Sequence, residues 1–288
     1  MNYSPLRYPG GKAKIAPLVQ LLIKKTQLQN TTYVEPFAGG SGVALSLLMT
    51  EVVDQIVIND YDKAIYSVWR AIKEDSWNFI DLIRQTPVTI EEWQRQKNVY
   101  ENQNNRYSLE LAFATFFLNR TNRSGILNAG PIGGYDQTGN YLIDARFNRD
   151  SLIEKVKAIA EKRNQIFVYN KDIRSFLNIF LQRYNNAFIY LDPPYYQKGK
   201  KLYKNFFTDK DHCEIANLVR ALDCSWMVTY DDIPEINELY RQHTCKKFDL
   251  SYSLAKKSVK SEVMFLSDAN LWPTAEELQQ NNISVNLR

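Results

Sequence analysis

Short apolar runs alternate along the chain with longer stretches whose apolar positions recur every three or four residues, a pattern of buried strands separated by amphipathic helices. The runs at 32–35, 55–58, 166–169, 187–191 and 225–230 read as strands. Helices are predicted over 14–25, with Ile15, Leu18, Leu21 and Leu22 on one side, and over 43–49, 63–73, 150–163 and 173–181. A further helix ends at Leu222, with His212 at its start in a structural role. Strands alternating with helices predict the α/β class and a mostly parallel sheet. Near the end the pattern changes: strands over 247–253 and 262–266 flank Lys256-Lys257-Ser258-Val259-Lys260, which predicts an antiparallel hairpin with a basic tip. The polar residues 274–288 are expected to be peripheral.

One stretch departs from the alternation. From 76 to 150 there are no clear strands, and Trp77, Trp93, Tyr100 and many Asn and Gln residues appear. This predicts a mainly helical insert within a discontinuous core of 1–75 and 151–288. Residues 109–118 form an apolar helical segment that Asn119-Arg120-Thr121-Asn122-Arg123-Ser124-Gly125 breaks, and 130–140 is a glycine-rich loop. Arg120, Asn122, Arg123 and Ser124 are the residue types that read base edges, although a solvated loop carries the same ones.

Candidate chemistry gathers at strand ends. Asp192-Pro193-Pro194-Tyr195 follows the run 187–191, and the two prolines hold carboxylate and ring in a stiff relative orientation. Such an acid accepts a hydrogen bond from an amino group while the ring stacks on a flat substrate; a proline turn with a surface aspartate is the plain alternative. Strand 32–35 runs into Pro36-Phe37-Ala38-Gly39-Gly40-Ser41-Gly42 and then a helix, the order of a nucleotide-binding crossover without the GxGxxG spacing. Asp60 ends the next strand about 20 positions after Gly39, the spacing of an acid that binds ribose hydroxyls. Asp172 is a second strand-end acid, equally suited to a cofactor contact or to capping helix 173–181. Leu6-Arg7-Tyr8-Pro9-Gly10-Gly11-Lys12 is a proline-glycine turn whose amides and lysine suit a carboxylate or phosphate, but these residues alone favour a helix-entry loop with a solvated lysine. Lys198, Lys200, Lys201 and Lys204 fit a phosphate backbone or plain solvation.

Composition narrows the classes. The 288 residues are 44% hydrophobic and 24% charged, enough for a full core with an inserted module. Net charge is +4, from 36 Lys and Arg against 32 Asp and Glu, so only a local basic patch can matter. Cys213, Cys224 and Cys245 show no CxxC spacing and only His212 and His243 are available as imidazoles, which supports neither a disulfide framework nor a zinc site. No apolar run reaches membrane-spanning length and the start lacks a signal-peptide core, so a reducing cytoplasmic location is expected.

Taken together, Tyr8-Pro9-Gly10-Gly11-Lys12, Glu35-Pro36-Phe37-Ala38-Gly39, Asp60 and Asp192-Pro193-Pro194-Tyr195 resemble the Dam-type, DPPY, adenine-specific DNA methyltransferases, in motif order as well as in the motifs. The similarity spans roughly 5–267. It implies a Rossmann-like methyltransferase sheet, a target-recognition role for 76–150, S-adenosylmethionine as donor, S-adenosylhomocysteine as product, no metal, and the 6-amino group of a flipped adenine in double-stranded DNA as acceptor. It also implies that Tyr8, Lys12, Glu35, Phe37, Gly39, Asp60, Asp172 and Asp192 line the cofactor site. Asp192, Pro193, Pro194 and Tyr195 would form the catalytic motif. Lys198, Lys200, Lys201, Lys256 and Lys257 would follow the DNA backbone. The usual second glycine of the FxGxG turn falls on Ser41, and the stretch after Arg120 differs from that of GATC enzymes. A restriction or phage-defence partner fits such an enzyme, and no motif specifies an oligomeric state. Two rivals stand beside this reading: an amino-methyltransferase acting on cytosine, RNA or a protein glutamine, and a catalytically silent DNA-binding or regulatory protein on the same fold.

Overall fold

A computed structural model describes residues 2–7, 12–103, 106–181, 183–184, 186–196, 207–252 and 258–288. Among them, seven strands form one sheet in the order β3-β2-β1-β4-β5-β7-β6. They are β1 (Thr32–Glu35), β2 (Gln55–Asn59), β3 (Ile166–Tyr169), β4 (Ala187–Leu191), β5 (Ser225–Asp231), β6 (Cys245–Tyr252) and β7 (Ser258–Leu266). The first five pair in parallel, while β7 enters antiparallel between β5 and β6. The expected mixed α/β sheet with its antiparallel end is therefore present. Chain order reverses between β1 and β4, which lie side by side, and this opens a crevice at their carboxyl ends.

Both sheet faces are covered, so the central parallel strands read as apolar runs and not as alternations. Phe188 and Tyr190 of β4 point to one face, where they join Tyr33, Ile56 and Ile58, and Ile189 and Leu191 point to the other with Val34, Val57 and Val228. The first face is covered by α1 (Ala16–Thr26), α2 (Gly42–Met49), α3 (Lys63–Glu74) and α7 (Arg149–Glu161), and the second by α8 (Ile173–Leu181), α9 (Asp209–Arg220) and α10 (Pro234–Leu239). Helices α4 (Ser76–Gln85), α5 (Ile90–Glu101) and α6 (Leu109–Thr121) form an outer layer, and their Phe79, Trp93, Phe113 and Phe116 belong to the same apolar cluster as the first face. The stretch 76–150 is thus mainly helical, as its pattern predicts, and its core is continuous with that of the sheet.

The end of the chain is mostly exposed, as expected of a peripheral segment, but it is tied to the body. Thr274 and Glu277 form a capping box on α11 (Ala275–Gln280), Lys25 Nζ donates to both Glu277 oxygens (2.8 and 2.9 Å), and Arg288 exchanges two 2.8 Å main-chain hydrogen bonds with Lys247 beside β6. Those bonds occupy part of an otherwise open sheet edge. Among the described residues no helix is long and apolar enough to cross a membrane.

Candidate active site

Strand β4 delivers Asp192 to the crevice because all five of its residues are buried, so the first side chain free of the sheet is the carboxylate. Lys12 meets it there. The lysine is 6% exposed, and its Nζ donates to Asp192 Oδ1 (3.0 Å) and Oδ2 (3.1 Å) and lies 3.2 Å from Glu262 Oε2. The solvated lysine favoured by the local residues is therefore corrected: the helix-entry loop points Lys12 inward. Thr229 Oγ1 donates to Asp192 Oδ1 (2.8 Å) and is itself bonded to the Tyr190 hydroxyl (2.9 Å). Tyr195 donates its hydroxyl to Glu262 Oε1 (2.7 Å) and receives a 3.4 Å contact from Lys12, whose ammonium also lies 5.4 Å from the ring centre. Tyr196 N donates to Asp231 Oδ1 (3.0 Å), which holds the chain as it leaves the motif.

Opposed forces set the charges. Burial alone would push the Lys12 pKa down, but the facing Asp192, with Tyr190, Glu262 and Tyr195, raises it well above the ordinary lysine value. Burial lifts the Asp192 pKa, Lys12 and Thr229 oppose this, and Glu262 adds to it. In the geometry one cation reaches both Asp192 oxygens, with Oδ1 taking two donors and Oδ2 one.

The glycine turn lies on the other side of the crevice. Gly39 has φ +45°, and its N–H donates to Asp60 Oδ2 (2.8 Å), while Asp60 Oδ1 accepts from Asp62 N (2.9 Å). The cap of α3 is Asp62, which accepts from Ala64 N, so Asp60 is not taken up by that helix end. Burial and the nearby charge of Asp62 push the Asp60 pKa up to about 7, against the two N–H donors. Ser41, where a glycine was expected, has φ +44° and is buried, so the turn keeps a left-handed residue without a glycine. Glu35 is buried and accepts from Tyr33 Oη (3.1 Å) and Ala44 N (3.0 Å); burial pushes its pKa up to about 8. Phe37 is half-buried and meets Phe207 edge-on.

Asp172 accepts from Arg174 N (2.9 Å) and pairs with the Arg174 guanidinium (3.2 Å), an arrangement that serves the start of α8. Asn122 corrects its expected role in reading bases. It is fully buried, accepts from Trp93 Nε1 (2.6 Å) and donates to Ile126 O and Leu127 O, so its amide is spent inside the protein. Arg120 is directed at main-chain carbonyls, whereas Arg123 and Ser124 are exposed. Tyr8, Lys198, Lys200, Lys201, Lys204, Lys256 and Lys257 lie outside the described residues. His212 is buried and bonds the Tyr230 hydroxyl (3.0 Å), in keeping with a structural role.

Sequence reasoning missed Glu262, Thr229 and Tyr190. Glu262 opens an otherwise apolar strand end, Val263-Met264-Phe265-Leu266, and a lone acid there was the available signal. Asn59 was also passed over: its amide bonds Pro36 O, Lys171 O and Lys171 N, and so ties three strand ends together. Among the described residues no group of three or more His, Cys, Asp and Glu could hold a metal ion.

The family model for D12 class N6 adenine-specific DNA methyltransferases matches residues 8–259. A curated relative, type II methyltransferase M.MjaIII of Methanocaldococcus jannaschii, is 23% identical over 238 residues, which cover 76% of this chain and 79% of the relative.

Proposed function

Since the chain belongs to the D12 class N6 adenine-specific DNA methyltransferases, we propose that the Lys12–Asp192 crevice is where it methylates the 6-amino group of adenine, with S-adenosylmethionine as donor. An S-adenosylmethionine-type cofactor and a flipped base follow from the family, and the residues present suit both. Asp60 and Asp192 stand at the ends of β2 and β4, on either side of a turn with positive φ at Gly39, which suits a donor carrying ribose hydroxyls and a cationic centre. On this reading Asp60 holds the ribose, Phe37 packs on the donor, and Glu35, Gly39, Lys12 and Asp172 complete its surroundings. When bound, the donor supplies an electrophilic methyl group.

The protein's own part is to align the amine. An adenine amine is a poor nucleophile because its lone pair is delocalised into the ring. A hydrogen bond from it to Asp192, with a second to the Pro193 carbonyl, draws that pair out of conjugation. Asp192 Oδ2 is the acceptor, because Oδ1 already takes Lys12 and Thr229. Pro193 and Pro194 hold that geometry, and Tyr195 offers its ring to the base. On this reading no metal is needed, because alignment and charge carry the transfer.

DNA reading is assigned to the outer part of 76–150, where Arg123 and Ser124 are exposed. The lysines at 198–201 and 256–257 are assigned to phosphates. The three free cysteines support a cytoplasmic setting, and a restriction or defence system is the context this reading favours.

The single observation that carries the reading is the Asp192 carboxylate clamped by Lys12 and Thr229 at the β1/β4 switch point. Methylation-aware sequencing of DNA from cells expressing the wild-type protein tests it. N6-methyladenine at defined sites, absent with Asp192→Ala, is the expected result. Methylated cytosine, or no methylated DNA from the wild type, would reject it.

A further inference from the structure

Four cations converge where the N-terminal segment meets the end of α6. Arg7 is held by Asn119, whose amide pairs with the Arg7 main chain on both sides (2.7 Å each), and Gly125 (φ +75°) packs so close that a Cβ there would strike the Arg7 carbonyl. Arg120 Nε donates to Arg146 O (2.7 Å) and another of its nitrogens reaches Pro5 O (3.5 Å). Arg7 Nη1 donates to Asn122 O (3.2 Å), and Lys155 Nζ to Ser4 O (3.1 Å).

Among the described residues, every hydrogen bond from these side chains ends on a main-chain carbonyl. No ion pair there includes any of the four, and the nearby Glu154 is paired with Lys157. The crowding leaves a mark on the charges. Burial and then Arg7 and Arg146 push the Arg120 pKa down to about 10, burial and Arg146 lower Arg7, and burial and Arg120 lower Lys155. Like charges gathered without a counter-charge are stabilised by an anion from outside the chain.

We propose that Arg7, Arg120, Arg146 and Lys155 seat a backbone phosphate of the DNA strand that carries the target adenine. This rests on the proposed function. A phosphate suits the cluster better than a base edge, because a base edge is neutral, whereas four cations need net negative charge. Its place follows from the chain: Arg7 and Lys12 are so near in sequence that their Cα atoms lie within about 18 Å. With the reach of both long side chains added, and at about 3.4 Å of helix axis per phosphate along one strand, the seat falls within about one helical turn of the flipped base. The cluster thereby sets register and leaves sequence reading to other residues.

The test is the salt dependence of binding to a short mixed-sequence DNA duplex, comparing the wild type with an Arg146→Gln, Lys155→Gln double variant. The Arg146 side chain is exposed, donates no hydrogen bond among the described residues and meets only the exposed Tyr141 ring (6.0 Å to its centre), which makes it a mild change. The expected result is a log–log slope shallower by about 1, since each phosphate contact contributes about 0.9. Affinity should fall alike for all sequences, with the set of methylated adenines unchanged. An unaltered slope overturns the proposal. So does an altered set of methylated adenines at constant slope, which would make the cluster a base reader, or loss of polyglutamate binding at constant slope, which would make it a seat for an acidic protein. Duplexes carrying uncharged methylphosphonates locate the seat when both proteins are compared: no single neutralised position that flattens the slope for the wild type and leaves the double variant unchanged also overturns it. Adenine methylation by the same wild-type preparation reports separately on the proposed function.

Discussion

Lys12 and Asp192 are 180 positions apart, yet the ammonium of one lies 3.0 and 3.1 Å from the two carboxylate oxygens of the other. Glu262 Oε2 lies 3.2 Å from the same ammonium. Lys12→Met would leave the buried Glu262 and the partly exposed Asp192 without their shared cation. The expected cost is about 3 kcal/mol in urea unfolding, and adding Glu262→Gln should recover part of it by removing one of the two charges. A single variant as stable as wild type would show that the pair contributes nothing to the fold.

Glu262 should act on the chemistry through its neighbours. Glu262→Gln keeps an acceptor for the Tyr195 hydroxyl but removes the charge that helps to raise the Asp192 pKa. Asp192 is faced by Lys12, Glu262 and Thr229, and its field reaches Tyr190, Tyr33, Glu35 and Tyr230. With one negative neighbour gone, Asp192 ionises at lower pH, so the acidic limb of the single-turnover rate should move down in pH while Tyr195→Phe leaves it in place. A limb that stays put in Glu262→Gln would uncouple the two carboxylates.

Asp60 predicts a pH dependence in cofactor binding. Its pKa is about 7, and ribose hydroxyls donate best to the ionised form, so calorimetric affinity for S-adenosylmethionine should rise between pH 6 and 8. Asp60→Asn should flatten that rise, and Asp60→Ala should weaken binding by about 1.5–3 kcal/mol. The free protein behaves oppositely. A carboxyl raised from 3.8 to about 7 keeps a proton in the folded state that the unfolded chain has released, so its contribution falls as pH climbs through that window. Glu35, raised from 4.5 to about 8, adds to the same fall, and Glu35→Gln should reduce the slope of unfolding free energy against pH.

Ser41 offers the simplest gain. It holds φ +44° with a Cβ, and its hydroxyl makes only a 3.4 Å contact with Ala38 O. Ser41→Gly should stabilise the fold by about 1 kcal/mol, the usual penalty for a left-handed non-glycine residue. Denaturant midpoints equal to or below wild type would mean that the buried hydroxyl matters more than the backbone strain.

What the sequence determined by itself was whatever depends on neighbours in the chain. The run Ala187–Leu191 is a strand because five apolar residues precede a proline pair, and Asp192 must then stand at its end. The turn from Pro36 to Gly42, the acid at Asp60 and the helical character of 76–150 follow from local composition in the same way. Tertiary structure decided the partners. Lys12 looked solvated because nothing within its own segment pairs with it; its carboxylates arrive from β4 and β7. Glu262 reaches the crevice only because β7 runs antiparallel, which places its leading half at the carboxyl edge of β5, with Glu262 opposite Asp231. Asn122 looked like a reader of bases because amides and arginines share loops with solvent and with DNA alike, and burial against Trp93 removed it from that role. Contacts between distant segments leave no periodicity in the chain, so strand order and burial, and not residue type, settled which side chains reach the site.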